Sequence, residues 1–453
     1  MSVSRQLANL VLGTHESDIP NLARERAKMS IASTIASAAM GYHIESTAIV
    51  RDLEKEAGGN GQSSVWFDNT ELPVAHAARI NALSSDAAAS DDSDLRSIAH
   101  IGTIISTTSM ALGEHLSLPG KEILDAMVLG YEVAGRIDES LTPGRMQNGF
   151  HGSVSTIFGG AITAGKLLKL DVDQMTQAIS IAATSIGGMA IAADTSWARE
   201  YHAGLSAYLG IQAAYAAQKG FIAEENVLEA PRGFFYAMGA QEVELITKDW
   251  GHSWDIVTNM AIKLMPGAHP FHAVTEAAVN AAIEGSVDPK EVSQIVISAI
   301  QMRNWGSESH PNDLVSAAHS VIYFVACAVA DKDFSWIHFS QEKMEDGLIS
   351  DLQNKVIFDP NPPPLPDRFT HHHGGTVTII LKSGQKITKT CTAPRGSGPR
   401  GVDWVDVNNK YQILTKQAGM HLSQTQKSLS LIHHLENESS VKGLLGQLQF
   451  NPS

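Results

Sequence analysis

The sequence predicts a mainly α-helical protein, in which a large all-helical domain is followed by a smaller α+β domain. Over residues 4–239, Ala, Ile, Leu, Met and small residues recur at helical spacing. After Lys263, stretches of strand-like alternation appear between helical stretches. A length of 453 residues is enough for two or three domains. We therefore predict a helical domain over residues 1–264, an α+β domain over residues 265–398, and C-terminal helices over residues 399–453 that return to the helical domain.

The helical domain is punctuated by Gly and Pro. Alanine-rich runs at residues 31–40 and 203–217 predict helices that approach their neighbours closely. Pro119-Gly120 opens a helix that ends near Ile137, and Pro143-Gly144 lies in a loop before His151.

The second domain combines both kinds of element. Helical patterns cover residues 270–284 and 315–330, with a strand-like run at residues 292–300 between them. Residues 376–381 and 385–391 alternate around Ser383-Gly384, which predicts a β-hairpin. A proline-rich connector covers residues 360–366, and a helical composition returns from about residue 402.

Charge and cysteine content exclude several classes of protein. Lys and Arg number 33 against 48 Asp and Glu, and the formal charge of −15 argues against a nucleic-acid or anionic-membrane partner. An anionic substrate would need a local group of cationic residues. Two cysteines cannot form a disulfide framework or a cysteine-based metal site, which favours a cytoplasmic location. No segment has the apolar length of a signal peptide or a membrane span.

An acidic segment at residues 91–102 is the first candidate for chemistry. It contains Asp91, Asp92, Asp94, Arg96 and His100. Such a segment is either a solvated loop that caps helices or a part of an active site. His151 stands in a loop of small residues before an apolar helical run, where an imidazole either contacts a ligand or has a structural role.

Further candidates are cationic. Arg199 and His202 interrupt an Ala- and Gly-rich context, and Arg199 suits a bidentate contact with a carboxylate but is a poor base. Lys263 lies in an apolar run, where it is either a buried base or a lysine that extends to the surface. His269 and His272 are three residues apart, which is weak support for a metal site.

Two other features predict no cofactor. The tract His371-His372-His373 is typical of an exposed loop, so we predict no metal. The Gly-rich segments at residues 186–188 and 395–398 lack the spacing of a phosphate-binding or dinucleotide-binding loop.

Several segments together, in order and over nearly the whole chain, resemble the MmgE/PrpD family. They are Tyr131-Glu132-Val133-Ala134-Gly135-Arg136-Ile137, Gly149-Phe150-His151, Phe158-Gly159, Gly165-Lys166-Leu167-Leu168, His202-Ala203-Gly204, Lys263-Leu264-Met265-Pro266 with His272, and Ser320-Val321-Ile322-Tyr323.

The resemblance implies a helical domain with a smaller α+β lid, an active site in the cleft between them, a homodimer and no metal. It makes Lys263, His151, His100 and the aspartates Asp91 and Asp92 the candidate catalytic residues. Candidate substrate-binding residues are Arg199, Arg96, Asp94, His202, His269 and Tyr323.

Two departures from the family pattern affect the expected reaction. Dehydratase and decarboxylase members carry an Asp-Phe-Asp-Asp-Thr type of segment, whose first aspartate is missing here. Arg199 replaces a lysine that could transfer a proton. We therefore predict an epimerase that inverts a carbon next to a carboxylate in an iminodisuccinate-like amino-polycarboxylate. The alternatives are a hydro-lyase on a 2-methylcitrate-like tricarboxylate and a non-catalytic homodimer that binds a carboxylate.

Overall fold

The computed structural model describes residues 1–96, 98–185, 187–300, 309–365, 374–397 and 400–449. The chain forms two compact units: a first unit of Met1–Ile262 with Asp403–Ser453, and a second unit of Lys263–Val402. The sequence predicts boundaries after residues 264 and 398. The histidine tract at residues 371–373 lies outside the described residues.

The first unit begins with a long succession of helices and four short strands. They are α1 (Val3–Gly13), α2 (Asn21–Gly41), α3 (Glu45–Ala57), β1 (Ser63–Ser64), β2 (Glu71–Leu72), α4 (Val74–Ala87), β3 (Asp92–Asp94), α5 (Ile101–Leu116), α6 (Gly120–Leu141), α7 (Gly144–Gln147), α8 (Ser153–Leu167), α9 (Val172–Ala183), α10 (Ala190–Thr195), α11 (Ala198–Gln218), α12 (Phe234–Met238), α13 (Asp255–Thr258) and β4 (Met260–Ile262).

The second unit alternates helices and strands, and the tail completes the first unit. The second unit contains α14 (His272–Glu284), β5 (Val292–Ser298), α15 (Leu314–Ala318), α16 (Val321–Asp331), α17 (Gln341–Met344), α18 (Gly347–Gln353), β6 (Val356–Phe358), β7 (Gly375–Leu381) and β8 (Lys386–Cys391). The tail forms α19 (Trp404–Gln417), α20 (Leu422–His433) and α21 (Lys442–Leu445).

Helix α2 lies at the centre of the first unit. Every residue from Ala27 to Ala39 is buried, so the helix has no solvated face over that stretch. Its small side chains let α4, α5, α6 and α19 pack around it. No helix of the described residues is long and apolar enough to cross a membrane.

Helices α8 and α11 approach each other at glycines. A Cβ added to Gly210 of α11 would lie 2.9 Å from the backbone nitrogen of Ala161 and 3.0 Å from the Cα of Gly160, both in α8. Only glycine permits this backbone contact. The close packing holds the middle of α11 against the middle of α8. Candidate site residues lie in the first turns of α11 and in the loop before α8.

The first unit is not entirely helical, which corrects the prediction from the sequence. Strands β1 and β2 form an antiparallel pair, and β3 pairs with β4 so that Asp92 is opposite Ile262 and Asp94 is opposite Met260. The acidic segment therefore begins as a buried strand and is not a solvated loop. Strands of two or three residues carry too little alternation to be detected in a sequence.

A mixed sheet in the order β6-β5-β7-β8 forms the second unit together with its helices. Strands β5 and β6 are parallel, and the other pairs are antiparallel, with Ile295 opposite Ile379. One face of β7 buries Val377 and Ile379 in the apolar core beneath α14 and α16. On the other face, Thr376 and Thr378 form hydrogen bonds with Thr390 and Thr388 of β8.

The helix expected over residues 315–330 is two helices, α15 and α16, so that prediction was wrong. Ser320 has an extended backbone, and its Oγ accepts a hydrogen bond from the backbone N–H of Tyr323. Serine at this position caps a new helix, which ends the preceding one.

Candidate active site

A carboxylate that the sequence reasoning missed, Asp86, organises the candidate site. It is the penultimate residue of α4 and is only 1% exposed. Arg199, in the first turn of α11, donates from Nε to Asp86 Oδ2 at 2.9 Å and from Nη2 to the Asp86 carbonyl at 2.7 Å. The guanidinium therefore binds both the side chain and a terminal carbonyl of α4, where the helix dipole favours a cation.

Arg199 keeps its charge in this setting. Burial opposes ionisation, but the carboxylates of Asp86 and Glu200 outweigh it and raise the pKa of Arg199. Its Nη1 has no hydrogen-bond partner among the described residues. Arg199 can therefore contact an anion while it remains fixed to Asp86.

His100 lies immediately before α5 and faces two carboxylates. Its Nδ1 is 2.5 Å from Asp86 Oδ1 and 2.9 Å from Asp91 Oδ2. The Thr103 hydroxyl also donates to Asp91 Oδ2, at 2.9 Å. These contacts place the proton of the ring on Nδ1.

Asp92 has a different role from Asp91. Its two carboxylate oxygens accept hydrogen bonds from the backbone N–H groups of Gly102 and Thr103, at 3.0 and 3.1 Å. These groups belong to the first turn of α5, which has no intrahelical acceptors for them. The position favours a structural role for Asp92, as the cap of α5, over the catalytic role that the resemblance implies.

Asp94 and Arg96 are part of a buried ionic network. Arg96 contacts Asp94 at 2.9 Å, Asp255 at 2.5 Å and Glu139 at 2.7 Å. Burial raises the pKa of Asp94 to about 6. This network joins β3, α6 and α13, and it favours a structural role for both residues over substrate binding.

Two further histidines lie beside His100. The ring centroids of His100 and His151 are 6.5 Å apart, and those of His151 and His202 are 6.2 Å apart. The backbone N–H of His151 donates to the Gly188 carbonyl at 2.8 Å, which fixes the loop before α8. A Cβ on Gly188 would lie 3.2 Å from Nδ1 of His202, so this glycine leaves room for the ring.

The environments of these histidines differ from that of His100. Burial, followed by the nearby His100 and Arg145, holds the pKa of His151 well below its usual value. Burial also lowers the pKa of His202, whose Nδ1 has no hydrogen-bond partner among the described residues. His151 is therefore a neutral imidazole near neutral pH, which is the state that a base requires.

The other predicted site residues belong to the second unit. Lys263 is its first residue and follows Ile262 directly in the chain. His269 stacks at a tilt on His272, with 4.6 Å between ring centroids. Tyr323 is fully buried in the core of this unit, and its hydroxyl donates to the His338 carbonyl at 2.5 Å. That position favours a structural role for Tyr323.

One group of side chains has the composition of a metal site. Asp86, Asp91 and His100 offer ligand atoms that all lie within 4.8 Å of one another. Two carboxylates and an imidazole suit a divalent cation. In this structure the same atoms contact one another directly, with Nδ1 of His100 against both carboxylates.

Asp86 had one signal in the sequence. It is a lone charge in the Ala- and Ser-rich run of residues 82–90, which the structure places at the C-terminal end of α4. An acidic residue at a helix C-terminus is unfavourable unless a cation is near. The cations that stabilise it, Arg199 and His100, are 113 and 14 residues away in the chain.

Comparisons with known proteins match nearly the whole chain. The model of the MmgE/PrpD N-terminal domain matches residues 5–245, and that of the MmgE/PrpD C-terminal domain matches residues 266–436. Cis-aconitate decarboxylase of Mus musculus is 24% identical over 427 residues, which cover 91% of this chain and 86% of that protein. The Homo sapiens protein of that name is 24% identical over 426 residues (91% and 87%), and that of Aspergillus terreus is 25% identical over 411 residues (84% and 82%).

Proposed function

The chain belongs to the MmgE/PrpD family, and on this premise we propose that it is an enzyme that removes a proton from a carbon next to a carboxylate in a small polycarboxylate. The observation that carries the proposal is the pair His100 and His151. Their ring centroids are 6.5 Å apart, and their environments favour different protonation states.

The pair supplies a base and an acid. His151, whose pKa burial lowers, is neutral and takes the proton from carbon. His100 faces Asp86 and Asp91 through Nδ1, and these carboxylates stabilise a positive charge on its ring. His100 therefore delivers a proton from its other nitrogen, Nε2.

Arg199 is proposed to hold the substrate. Its Nη1 is the atom that contacts a substrate carboxylate, while Asp86 fixes Nε and Nη2. A fixed positive charge beside the reacting carbon stabilises the negative charge that develops on its carboxylate when the proton leaves. His202 lies beside His151 and is proposed to contact the same substrate. From the resemblance we also predict a catalytic role for Lys263 and a substrate-binding role for His269.

Within this chemistry we propose epimerisation of an iminodisuccinate-like substrate. Epimerisation needs one base, one acid and a fixed cation, and these groups match His151, His100 and Arg199. A hydro-lyase must in addition protonate a departing hydroxyl, and Arg199 stands where family dehydratases carry a lysine that can give up its proton. Dehydration of a 2-methylcitrate-like substrate is the alternative.

Decarboxylation is a further candidate because the relatives compared above are named cis-aconitate decarboxylases. Decarboxylation and epimerisation both end with an acid that protonates a carbon next to a carboxylate. They differ in the first bond that breaks: a carbon–carbon bond, with loss of carbon dioxide, in decarboxylation, and a carbon–hydrogen bond in epimerisation.

Proton NMR in deuterated water separates the three reactions. The purified protein is incubated with single stereoisomers of iminodisuccinate, with 2-methylcitrate and with cis-aconitate, and each mixture is followed over time. Epimerisation gives the other stereoisomers of iminodisuccinate with deuterium at the α-carbon and no alkene signal. Dehydration gives an alkene from 2-methylcitrate, and decarboxylation gives a product that has lost one carboxylate.

Two variants test the roles of the residues. His151→Asn removes the proposed base and should lower the rate of deuterium uptake at least about 100-fold. Asp173→Asn, an exposed substitution on α9, should leave the rate unchanged. Lys263→Met tests the lysine that the resemblance implies. No deuterium uptake, alkene or decarboxylated product with any of the three substrates would contradict the proposal.

A further inference from the structure

We propose that Asp86 is a positioning residue that holds His100 and Arg199 together, so that the acid and the substrate-binding cation act as one unit. This inference rests on the proposed function, because it assigns those two roles to His100 and Arg199. Nothing in the family pattern read from the sequence pointed to this aspartate.

The two carboxylate oxygens of Asp86 accept hydrogen bonds from different residues. Oδ1 accepts from Nδ1 of His100 at 2.5 Å, and Oδ2 accepts from Nε of Arg199 at 2.9 Å. Through this carboxylate the end of α4 is joined to the residue before α5 and to the first turn of α11. A carboxylate buried at a helix C-terminus is unfavourable by itself, so its two cationic partners stabilise it.

Asp91 has a different set of contacts. It contacts Nδ1 of His100 at 2.9 Å and accepts a hydrogen bond from the Thr103 hydroxyl at 2.9 Å. Arg199 donates its hydrogen bonds to Asp86 and Ala87, and the charge of Asp91 acts on Arg199 less than that of Asp86 does. Replacement of either carboxylate therefore changes the surroundings of His100, but only replacement of Asp86 also removes the side-chain acceptor of Arg199.

Asp86→Asn tests this difference, with Asp91→Asn as the matched comparison. An asparagine offers one acceptor oxygen to two donors, Nδ1 of His100 and Nε of Arg199, which each have their own oxygen in the native protein. The readout is the ¹⁵N NMR spectrum of the ligand-free protein, with labelled His and Arg side chains, recorded for all variants at the same pH. His100→Gln and Arg199→Gln variants assign the two signals.

We expect both variants to shift the Nδ1 signal of His100, because each removes a carboxylate that this atom contacts. Asp86→Asn should shift the Nε–H signal of Arg199 more than Asp91→Asn does, because Asp86 is the acceptor of that N–H group. In the deuterium-uptake assay, Asp86→Asn should lower kcat about 100-fold, because His100 and Arg199 are then no longer held in position relative to the substrate. If Asp86→Asn does not fold, the double variant Asp86→Asn/Arg199→Gln, which removes the charges of both partners, is used for the His100 signal.

Two results would overturn the inference: a His100 Nδ1 signal in Asp86→Asn identical to that of the native protein, or an Arg199 Nε–H signal that moves equally in both variants. The NMR readout does not depend on turnover. Changed His100 and Arg199 signals in a protein without deuterium uptake would therefore support the positioning role and reject the proposed function.

Discussion

Glu132 makes the stability of the first unit depend on pH. This residue of α6 is 1% exposed, and burial, followed by the charge of Asp255, raises its pKa from 4.5 to about 7. It accepts hydrogen bonds from Nε of Arg136 at 2.6 Å and from the backbone N–H of Asp255 at 2.7 Å. The folded protein therefore retains a proton here that the unfolded chain has lost.

The sign and the size of the effect follow from this pKa. Because the folded state binds the extra proton between about pH 4.5 and pH 7, the free energy of unfolding falls as pH rises through that window. At about 1.4 kcal/mol for each pH unit, the full effect is about 3 kcal/mol.

Glu132→Gln removes the titration and keeps the shape of the side chain. We expect its free energy of unfolding, relative to the native protein, to rise by about 1 to 3 kcal/mol between pH 5 and pH 8. Urea denaturation followed by circular dichroism at several pH values measures the difference. Glu139→Gln, in the same helix but with a largely exposed side chain, is the control and should show a nearly constant difference. A constant difference for Glu132→Gln, or one that grows as pH falls, would refute the reasoning.

Further predictions concern three single residues. His151→Asn should lower the rate of deuterium uptake at least about 100-fold. Because the pKa of His151 is held well below 6.5, the native rate should stay high as pH falls to about 6. Tyr323→Phe should lower the free energy of unfolding by about 1 kcal/mol through loss of the bond to His338, with an unchanged KM if the tyrosine is structural. Gly102→Ala should lower stability by about 2 kcal/mol because its Cβ would lie 2.2 Å from Asp92 Oδ2, whereas Gly13→Ala, with no atom within 4 Å, should not.

The main helices were predictable because each pattern is local. Residues 203–217 lie within α11, and Pro119-Gly120 opens α6. The hairpin of β7 and β8 was also predictable, since Gly384 at the turn has a φ of +87°. The break between α15 and α16 was missed because residues 315–330 have a helical composition throughout. Only the hydrogen bond from the Tyr323 backbone N–H to the Ser320 side chain shows that a new helix begins there.

The candidate site was only partly predictable. His100, His151, Arg199 and His202 were selected by residue type and by resemblance, and the structure brings these four together in the first unit. The aspartates could not be separated by sequence. Asp91 contacts His100, Asp92 caps α5, and Asp94 pairs with Arg96, although all three lie within four residues of the chain.

The sequence by itself determined the helical character of the chain, its family and most of the titratable residues at the site, because these depend on local periodicity and on motifs of a few residues. Only the tertiary structure determined which carboxylate contacts which cation. Asp91 precedes β3, and Asp92 and Asp94 lie at its two ends, so the three aspartates meet different neighbours. Asp86 joins the site because the end of α4 meets the beginning of α11, and no local pattern records that meeting.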